Sequence, residues 1–398
     1  MLITLWLCNK QNVFKKFKKG DGLITFFFIL FSLFYAISAF NNNDGLTIIF
    51  SQYSRYLIAY CLWFLVRREI QYKNADTEKL NLFIYDVFLM QIVITLAKIF
   101  IFRGQHIESI VGSISHTGGA PGTTIPILGF ISLWFVKQGV LQKKEWIFVA
   151  GLMLIGLFAG KRAIWFIMPI VIAGFMLYVP GLKLDKKMWF VLLMAPFVFY
   201  LGVRLTPTLN PENVVWGSFD IDYTFDYAEK YQFGDQSIKN QKKAQGRGGA
   251  TLALWDKWNS NESLTENDWF GIGFSSMYAS DYDSFSKLGL GLNHKGSATG
   301  VFQSYVTSGY MGVITTTLFF FSLLWRIKTK RVRWLLIAIV AWEYFLYTGL
   351  IFRTPAFMFL IIYFVHYSNY QYKLKKNIKP APTPYISMFP QAVEDKPQ

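Results

Sequence analysis

Ten strongly apolar segments follow one another along this chain, and only one of the turns between them is long. Each segment approaches the roughly 20 apolar residues that an α-helix needs to cross a bilayer. The pattern predicts an all-α integral membrane protein with about ten, and at most twelve, transmembrane helices. The predicted crossings are residues 23–40, 46–66, 82–102, 125–142, 146–160, 163–182, 188–203, 300–324, 334–350 and 355–370.

The charge pattern predicts how the chain is oriented. Of the 398 residues, 53% are hydrophobic and 19% aromatic, which exceeds the averages of soluble proteins. The net charge is +16, but Lys and Arg form short clusters between apolar segments, which excludes nucleic acid as a partner. Such clusters mark cytoplasmic turns. Both termini are therefore predicted to be cytoplasmic, and residues 204–299 to lie outside. The clusters fall within residues 15–19, 67–79, 143–144, 183–187, 326–333 and 373–379.

The same pattern divides the chain into four parts. Residues 1–203 are predicted to form an N-terminal bundle of seven crossings, and residues 204–299 one long periplasmic or extracellular loop with short helices. Residues 300–378 would supply the last three membrane helices. Residues 379–398 contain several prolines and are predicted to be a disordered cytoplasmic tail.

Five basic residues depart from the charge rule, because they lie at predicted outer ends of helices: Arg103, Lys161, Arg162, Arg204 and Arg353. Any one of them could simply extend to lipid phosphates. As a set they favour a shared anionic ligand, since the arginine fork can grip two phosphate oxygens at once. A diphosphate carried on a membrane lipid would lie at this depth.

Two further ionisable residues, Arg55 and Glu343, fall near the middle of predicted crossings, where a charge is costly. One interpretation is a buried ion pair that fixes the register of two helices. The other is a proton or ion pathway, although no series of further carboxylates continues it. The sequence leaves both open.

The outer loop is much longer than a connection requires and is rich in aromatic and polar residues. Aromatic rings beside Asn, Asp and Gln suit sugars, whose C–H faces stack on the rings. Trp255 and Trp258 lie in a predicted amphipathic helix, residues 251–258, and Arg247 leads directly into it. The alternative is a small helical subdomain that uses the same aromatic residues as its own core.

His116 and His294 also fall in predicted outer segments, where a histidine can act as a general base near neutral pH. The alternative for His294 is a hydrogen-bonding loop residue. The sequence contains no HExxH motif, no cysteine pair, no Walker-type loop and no GxSxG elbow. We therefore expect chemistry without a metal or a cofactor, in which arginines neutralise a leaving group.

These features, in this order, resemble the bacterial O-antigen polymerase and O-antigen ligase superfamily. In that family a periplasmic turn carries a Ser-Arg-like pair, and a long periplasmic loop carries an arginine, a tryptophan and a Gly-x-Gly. A histidine then precedes a Gly-x-x-Gly in the next helix. Here Ser297 stands at the place of that histidine, and His294 comes three residues earlier. The earlier Gly- and Pro-rich segment is similar to residues 113–126, around His116. The other matching residues are Lys161-Arg162, Arg247, Trp255, Gly271-Ile272-Gly273, Gly309 and Gly312.

The resemblance implies metal-independent glycosyl transfer at the periplasmic face of the bacterial inner membrane. The donor would be an undecaprenyl-pyrophosphate-linked oligosaccharide, and a polysaccharide chain-length regulator would be a further partner. The implied roles are catalysis by His294, Arg247 and Arg162, diphosphate binding by Lys161, Arg162, Arg247, Arg353 and Arg204, and sugar binding by Trp255, Trp258, His116 and Ser297.

Polymerase is the activity we expect, and transfer of polysaccharide to lipid A-core by a ligase is the alternative within the superfamily. A lipid-linked oligosaccharide flippase is a rival from another class, but it predicts two related halves and short outer loops. A membrane acyltransferase would need a histidine near a cytoplasmic or mid-membrane acyl donor. Three of the four histidines here lie in predicted outer segments instead.

Overall fold

The computed structural model describes residues 21–72, 76–101, 111–113, 120–137, 141–178, 186–233, 247–260, 263–277 and 299–377. Within these ranges the chain is helical and forms no β-strand. Two short 3-10 helices occur, at Pro207–Leu209 and Ser275–Met277. The α-helices are α1 Asp21–Asn41, α2 Leu46–Tyr72, α3 Thr77–Ile101, α4 Pro121–Val136, α5 Lys143–Phe158, α6 Ala163–Tyr178, α7 Lys186–Leu205, α8 Ile221–Phe233, α9 Arg247–Asn259, α10 Glu266–Phe270, α11 Gly300–Leu324, α12 Lys330–Phe345, α13 Leu350–Arg353 and α14 Pro355–Asn377.

Three of these helices, α1, α3 and α11, are long and apolar enough to cross a membrane. The helix α4 and the segments Ala163–Met176 and Pro196–Leu205 are apolar but shorter. Large apolar side chains also face outward, among them Phe83, which is 63% exposed, and Ile147, which is 73% exposed. Such a surface suits lipid better than water. The described chain is thus helical with candidate membrane crossings, while the number of ten to twelve and the cytoplasmic termini stay predictions.

The helix α11 packs against α1, α10 and α12. Phe31 of α1 stacks on Phe319 of α11, with 6.2 Å between the ring centroids. Elsewhere α14 packs against α2, and the side chain of His366 hydrogen-bonds to the carbonyl oxygen of Trp63 at 3.0 Å. Helices from both ends of the chain therefore share one buried core.

The first part of α11 is interrupted at Gly309, whose φ of 62° is left-handed. Glycine adopts this conformation without steric cost. The backbone of residues 271–273 packs into the interruption, where the amide of Ile272 donates to the carbonyl oxygen of Val306 at 2.8 Å. A Cβ atom on Gly271 would lie only 2.7 Å from the backbone nitrogen of Gly309. The interruption thus places residues 271–273 directly against α11.

A buried carboxylate joins α9 and α10 to α11. Asp268 of α10 accepts a hydrogen bond from the Tyr305 hydroxyl of α11 and pairs with the Lys257 ammonium of α9 at 2.6 Å. The amide and hydroxyl of Thr265 also donate to it, at 2.9 and 2.8 Å. Burial opposes ionisation of this group, but the surrounding donors hold the pKa of Asp268 below its usual value. This network fixes α9 and α10 to α11.

The structure does not pair Arg55 with Glu343. The Glu343 carboxylate accepts the backbone N–H of Leu350 at 2.7 Å and so holds the turn that follows α12. The side chain of Arg55 forms no hydrogen bond or ion pair with the described residues. Arg55 instead lines a cavity among α1, α2, α11 and the turn after α12.

Candidate functional site

Arg162 and Arg247, which are far apart in the sequence, line one cavity of about 250 Å³. We call it the two-arginine cavity. Its walls come from the beginning of α6, the helices α8 and α9, and the end of α12 with the turn that follows. Most of this lining is apolar or aromatic. The other lining residues are Ala163, Phe166, Ile167, Leu209, Tyr227, Ala228, Tyr231, Gln232, Phe233, Trp342, Leu346 and Tyr347.

Arg162 reaches the cavity from the tight turn between α5 and α6. Gly160, with φ of 62°, makes this turn possible. The guanidinium carbon lies 4.6 Å from the ring centroid of Tyr227 and 5.3 Å from that of Tyr231. Both rings are on α8, four residues apart, and therefore on the same helix face. Partial burial lowers the pKa of Arg162 from its usual value, but an arginine remains charged in proteins.

Arg247 is the first residue of α9 and holds its guanidinium carbon 4.8 Å from the ring centroid of Tyr347. That ring is fixed from two sides. Its hydroxyl hydrogen-bonds to the hydroxyl of Thr123 at 2.9 Å, and Trp342 stacks on it with 4.8 Å between centroids. The Nε atom of Arg247 is buried and has no hydrogen-bond partner. A buried donor without a partner is costly, so this atom is suited to an acceptor supplied by a ligand.

Two hydrogen bonds hold α8 and α9 on the end of α12. The hydroxyl of Thr251 on α9 donates to the carbonyl oxygen of Phe345 at 2.7 Å. The side-chain amide of Gln232 on α8 donates to the carbonyl oxygen of Leu346 at 3.2 Å. These carbonyls belong to the C-terminal end of a helix, where they have no partner within the helix itself. The same contacts that satisfy α12 therefore place Arg247 and the tyrosines of α8 around the cavity.

Among the described residues neither guanidinium of the cavity forms a salt bridge with a carboxylate. The Glu343 carboxylate interacts with Arg247 only electrostatically, over a longer distance. The aromatic rings attract the two cations through their negative faces, but they carry no net charge. Two like charges beside apolar walls repel one another and favour the entry of an anion. On electrostatic grounds the cavity is thus suited to an anion.

The other predicted residues that the structure describes lie outside this cavity. Lys161 precedes Arg162 in the turn and does not line the cavity. Arg204 donates to the carbonyl oxygen of Gly217 at 2.8 Å and to the Tyr200 hydroxyl at 2.9 Å, so its guanidinium holds the first turn of the outer loop. We therefore leave Arg204 out of the proposed diphosphate site.

The two predicted sugar-binding tryptophans differ in their surroundings. Trp255 is 64% exposed on α9. Trp258 packs edge-to-face against Tyr310 and Trp269, with centroid distances of 4.8 and 5.8 Å. Only the first of them therefore presents most of its ring to a ligand.

Several predicted site residues fall where the structure gives no side-chain information. His116, His294 and Ser297 lie outside the described residues, as does Arg103. Arg353 ends α13, but its side chain is not described. Their predicted roles stay predictions.

The aromatic supports of the two arginines were not anticipated from the sequence. Tyr223, Tyr227 and Tyr231 recur every four residues, which is a signal that one face of α8 is aromatic. Tyr347 has no such local signal, because its contact with Arg247 joins distant parts of the chain.

Among the described residues no group of three or more His, Cys, Asp or Glu side chains could hold a metal ion. No family model matches the chain, and neither a curated protein nor a solved structure matches it. The arrangement of Arg162 and Arg247 is therefore the main guide to what the protein does.

Proposed function

We propose that this protein is a surface-polysaccharide (O-antigen) polymerase of the bacterial inner membrane. It would join undecaprenyl-pyrophosphate-linked repeat units at the periplasmic face. The observation that carries the proposal is that Arg162 and Arg247 line one cavity and that neither forms a salt bridge with a carboxylate among the described residues. They are also two of the residues on which the resemblance to the polymerase and ligase superfamily rests.

The cavity has the properties that binding of a lipid diphosphate requires. Each guanidinium can donate two parallel hydrogen bonds to phosphate oxygens. The apolar walls weaken solvent screening and strengthen these contacts. A volume of about 250 Å³ is below the range of pockets that enclose whole drug-sized ligands. It therefore suits a head group whose lipid and glycan extend beyond the cavity.

In the proposed reaction, a hydroxyl oxygen of the acceptor repeat unit attacks the anomeric carbon of the donor. The new glycosidic bond forms as the bond from that carbon to the diphosphate oxygen breaks, and undecaprenyl diphosphate leaves with the bonding electrons. Arg162 and Arg247 stabilise the negative charge that develops on the leaving group. The proton of the hydroxyl passes to a base, for which His294 is the candidate from the sequence. Trp255 offers a ring on which a sugar can stack.

The test uses purified protein in lipid nanodiscs and the lipid-linked repeat unit extracted from producing cells. The wild-type protein is expected to form a ladder of lipid-linked oligomers and to release undecaprenyl diphosphate. Arg162→Ala and Arg247→Ala should each lower the rate by about 10²–10³-fold, which is typical for loss of one preorganised donor. Arg162→Lys and Arg247→Lys should recover only part of the rate, because lysine lacks the fork.

The control is Lys230→Ala, which removes a half-exposed cation of α8 that does not line the two-arginine cavity. It should leave the rate within about twofold of wild type, since surface ion pairs contribute little. No oligomers from the wild-type protein, or wild-type rates from both alanine variants, would refute the proposal. Product formation only after addition of lipid A-core would identify a ligase instead.

A further inference from the structure

A second cavity of about 260 Å³ lies among α1, α2, α11 and the turn after α12. We call it the Arg55 cavity. Its polar lining comes from two facing helices, with Gln52 and Arg55 on α2 and Gln303 and Ser304 on α11. Amide and hydroxyl groups of this kind are the usual partners of sugar hydroxyls. The lining is thus more polar in character than that of the two-arginine cavity.

Aromatic rings supply the remaining surface that a carbohydrate site needs. Tyr35 of α1 and Tyr56 of α2 meet edge-to-face, with 5.6 Å between their centroids. Phe274 of the outer loop lies 5.0 Å from the ring of Tyr35. All three line the cavity. Tyr35 and Phe274 are buried and form the apolar wall of the cavity. Tyr56 is only partly buried and offers the ring that can pack against the C–H face of a sugar while the neighbouring polar groups bind its hydroxyls.

Arg55 is the cation of this cavity, and it has no ion-pair partner among the described residues. Glu343, the carboxylate predicted to neutralise it, holds the turn after α12 instead. An uncompensated guanidinium beside aromatic walls favours an anionic ligand. The Arg55 cavity therefore combines the features of a glycan site with those of an anion site.

The two cavities are neighbours. Tyr344 lines the Arg55 cavity and Leu346 lines the two-arginine cavity. Two residues of chain span at most about 7 Å even when fully extended. A further connection runs through Thr251 of α9, whose hydroxyl lies 3.3 Å from that of Thr299, directly before α11. The turn after α12 is therefore a wall that the two cavities share.

We propose that the Arg55 cavity is the acceptor site, in which Gln52, Gln303 and Tyr56 bind the acceptor glycan and Arg55 binds an anionic group of the acceptor. This inference rests on the proposed polymerase function, which needs a second lipid-linked glycan next to the donor diphosphate. The anionic group has two chemical sources, namely an acidic sugar of the repeat unit and the diphosphate of the acceptor lipid. Arg55 is here a residue for acceptor binding and not for stabilising the leaving group.

The experiment measures the KM for the acceptor separately from reaction at the donor. The donor is the extracted lipid-linked repeat unit at a fixed saturating concentration. The acceptor is the same repeat unit released from its lipid, as a soluble reducing-end phosphate, in varied concentration. Arg55→Gln should raise the acceptor KM by about 10–100-fold, as expected for loss of a charge-assisted contact. Arg55→Lys should recover most of the affinity, because it keeps the charge.

Two altered acceptors distinguish the sources of the anion. If an acidic sugar contacts Arg55, chemical reduction of its carboxyl should abolish the difference between wild type and Arg55→Gln. If the phosphate makes the contact, a neutral methyl glycoside of the repeat unit should abolish it. A difference that persists with both altered acceptors would overturn the anion role. Competition of undecaprenyl diphosphate against the donor, measured at a saturating acceptor concentration, should be equal in wild type and Arg55→Gln, since the donor cavity is unchanged.

The outcomes separate this inference from the proposed function. If the wild-type protein elongates the glycan but Arg55→Gln has an unchanged acceptor KM, the acceptor site is refuted and the polymerase proposal stands. If the wild-type protein neither elongates the glycan nor releases undecaprenyl diphosphate, both are refuted. Lys230→Ala again serves as the control for loss of one cation. Its acceptor KM should equal that of the wild-type protein.

Discussion

Asp268→Asn is expected to weaken the packing of α9 and α10 on α11 without unfolding α11 itself. One carboxylate oxygen accepts from Lys257 and Tyr305, and the other accepts from Thr265. An asparagine keeps one acceptor oxygen and turns an NH₂ group toward donors on the other side. The substitution also removes the negative charge that pairs with the Lys257 ammonium at 2.6 Å.

The magnitude follows from burial. The side chain of Asp268 is 0% exposed and that of Lys257 is 17% exposed, so solvent compensates little for the lost pair. Removing one partner of a buried pair costs about 3–5 kcal/mol, and the lower end applies because the lysine keeps some contact with solvent. About 3 kcal/mol corresponds to roughly a hundredfold change in the equilibrium between α10 packed against α11 and α10 detached from it.

Hydrogen exchange measured by mass spectrometry tests this directly. The amides of residues 255–270 are expected to exchange about a hundredfold faster in Asp268→Asn than in the wild-type protein. The control is Asp256→Asn, the same substitution at an exposed position of α9, and its exchange should match wild type. Equal protection of this segment in all three proteins would show that Asp268 does not hold the outer helices.

Two further predictions concern the same region. The depressed pKa of Asp268 means that its contribution to stability is complete above the unfolded-state pKa of about 4 and is lost as the pH falls through the lower folded-state value. The difference in thermal unfolding temperature between wild type and Asp268→Asn should therefore be constant from pH 8 to 5 and shrink below pH 4, and a difference that shrinks already near pH 7 would contradict this. Gly309→Ala should destabilise the protein by at least about 1–2 kcal/mol, because alanine is strained at a left-handed φ of 62° and the backbone of Trp269 leaves no room for a Cβ atom. Gly22→Ala, where a Cβ meets nothing within 4 Å, should not lower the unfolding temperature, and equal unfolding temperatures for the two variants would be the contrary result.

Hydropathy predicted two of the candidate membrane crossings closely. The predicted segment 300–324 coincides with α11, Gly300–Leu324, and the segment 23–40 lies within α1, Asp21–Asn41. It predicted the end of α12 less well, because the apolar run continues to residue 350 whereas the helix ends at Phe345. The chain turns there through Gly349, which has φ of 66°. Hydropathy is insensitive to such a backbone conformation.

The site was predicted only in part, and the reason is physical. Arg162 was predicted because it breaks the charge rule, and Arg247 because it leads into an amphipathic helix. Both are local signals. Their meeting in one cavity depends on contacts between α8, α9 and α12, which no local pattern encodes. The same holds for Arg55, because its expected partner Glu343 was engaged by the backbone of a neighbouring turn.

The tyrosines around Arg162 have a consequence for turnover. A guanidinium that rests against a carboxylate must break that contact whenever an anion arrives, and the carboxylate competes for it again when the anion leaves. Arg162 rests on the faces of Tyr227 and Tyr231 instead. In the proposed reaction, these neutral rings would keep the side chain in place between cycles and would not compete with the incoming diphosphate for charge. Repeated additions of a glycan unit would therefore proceed without a penalty for exchanging ion pairs at each step.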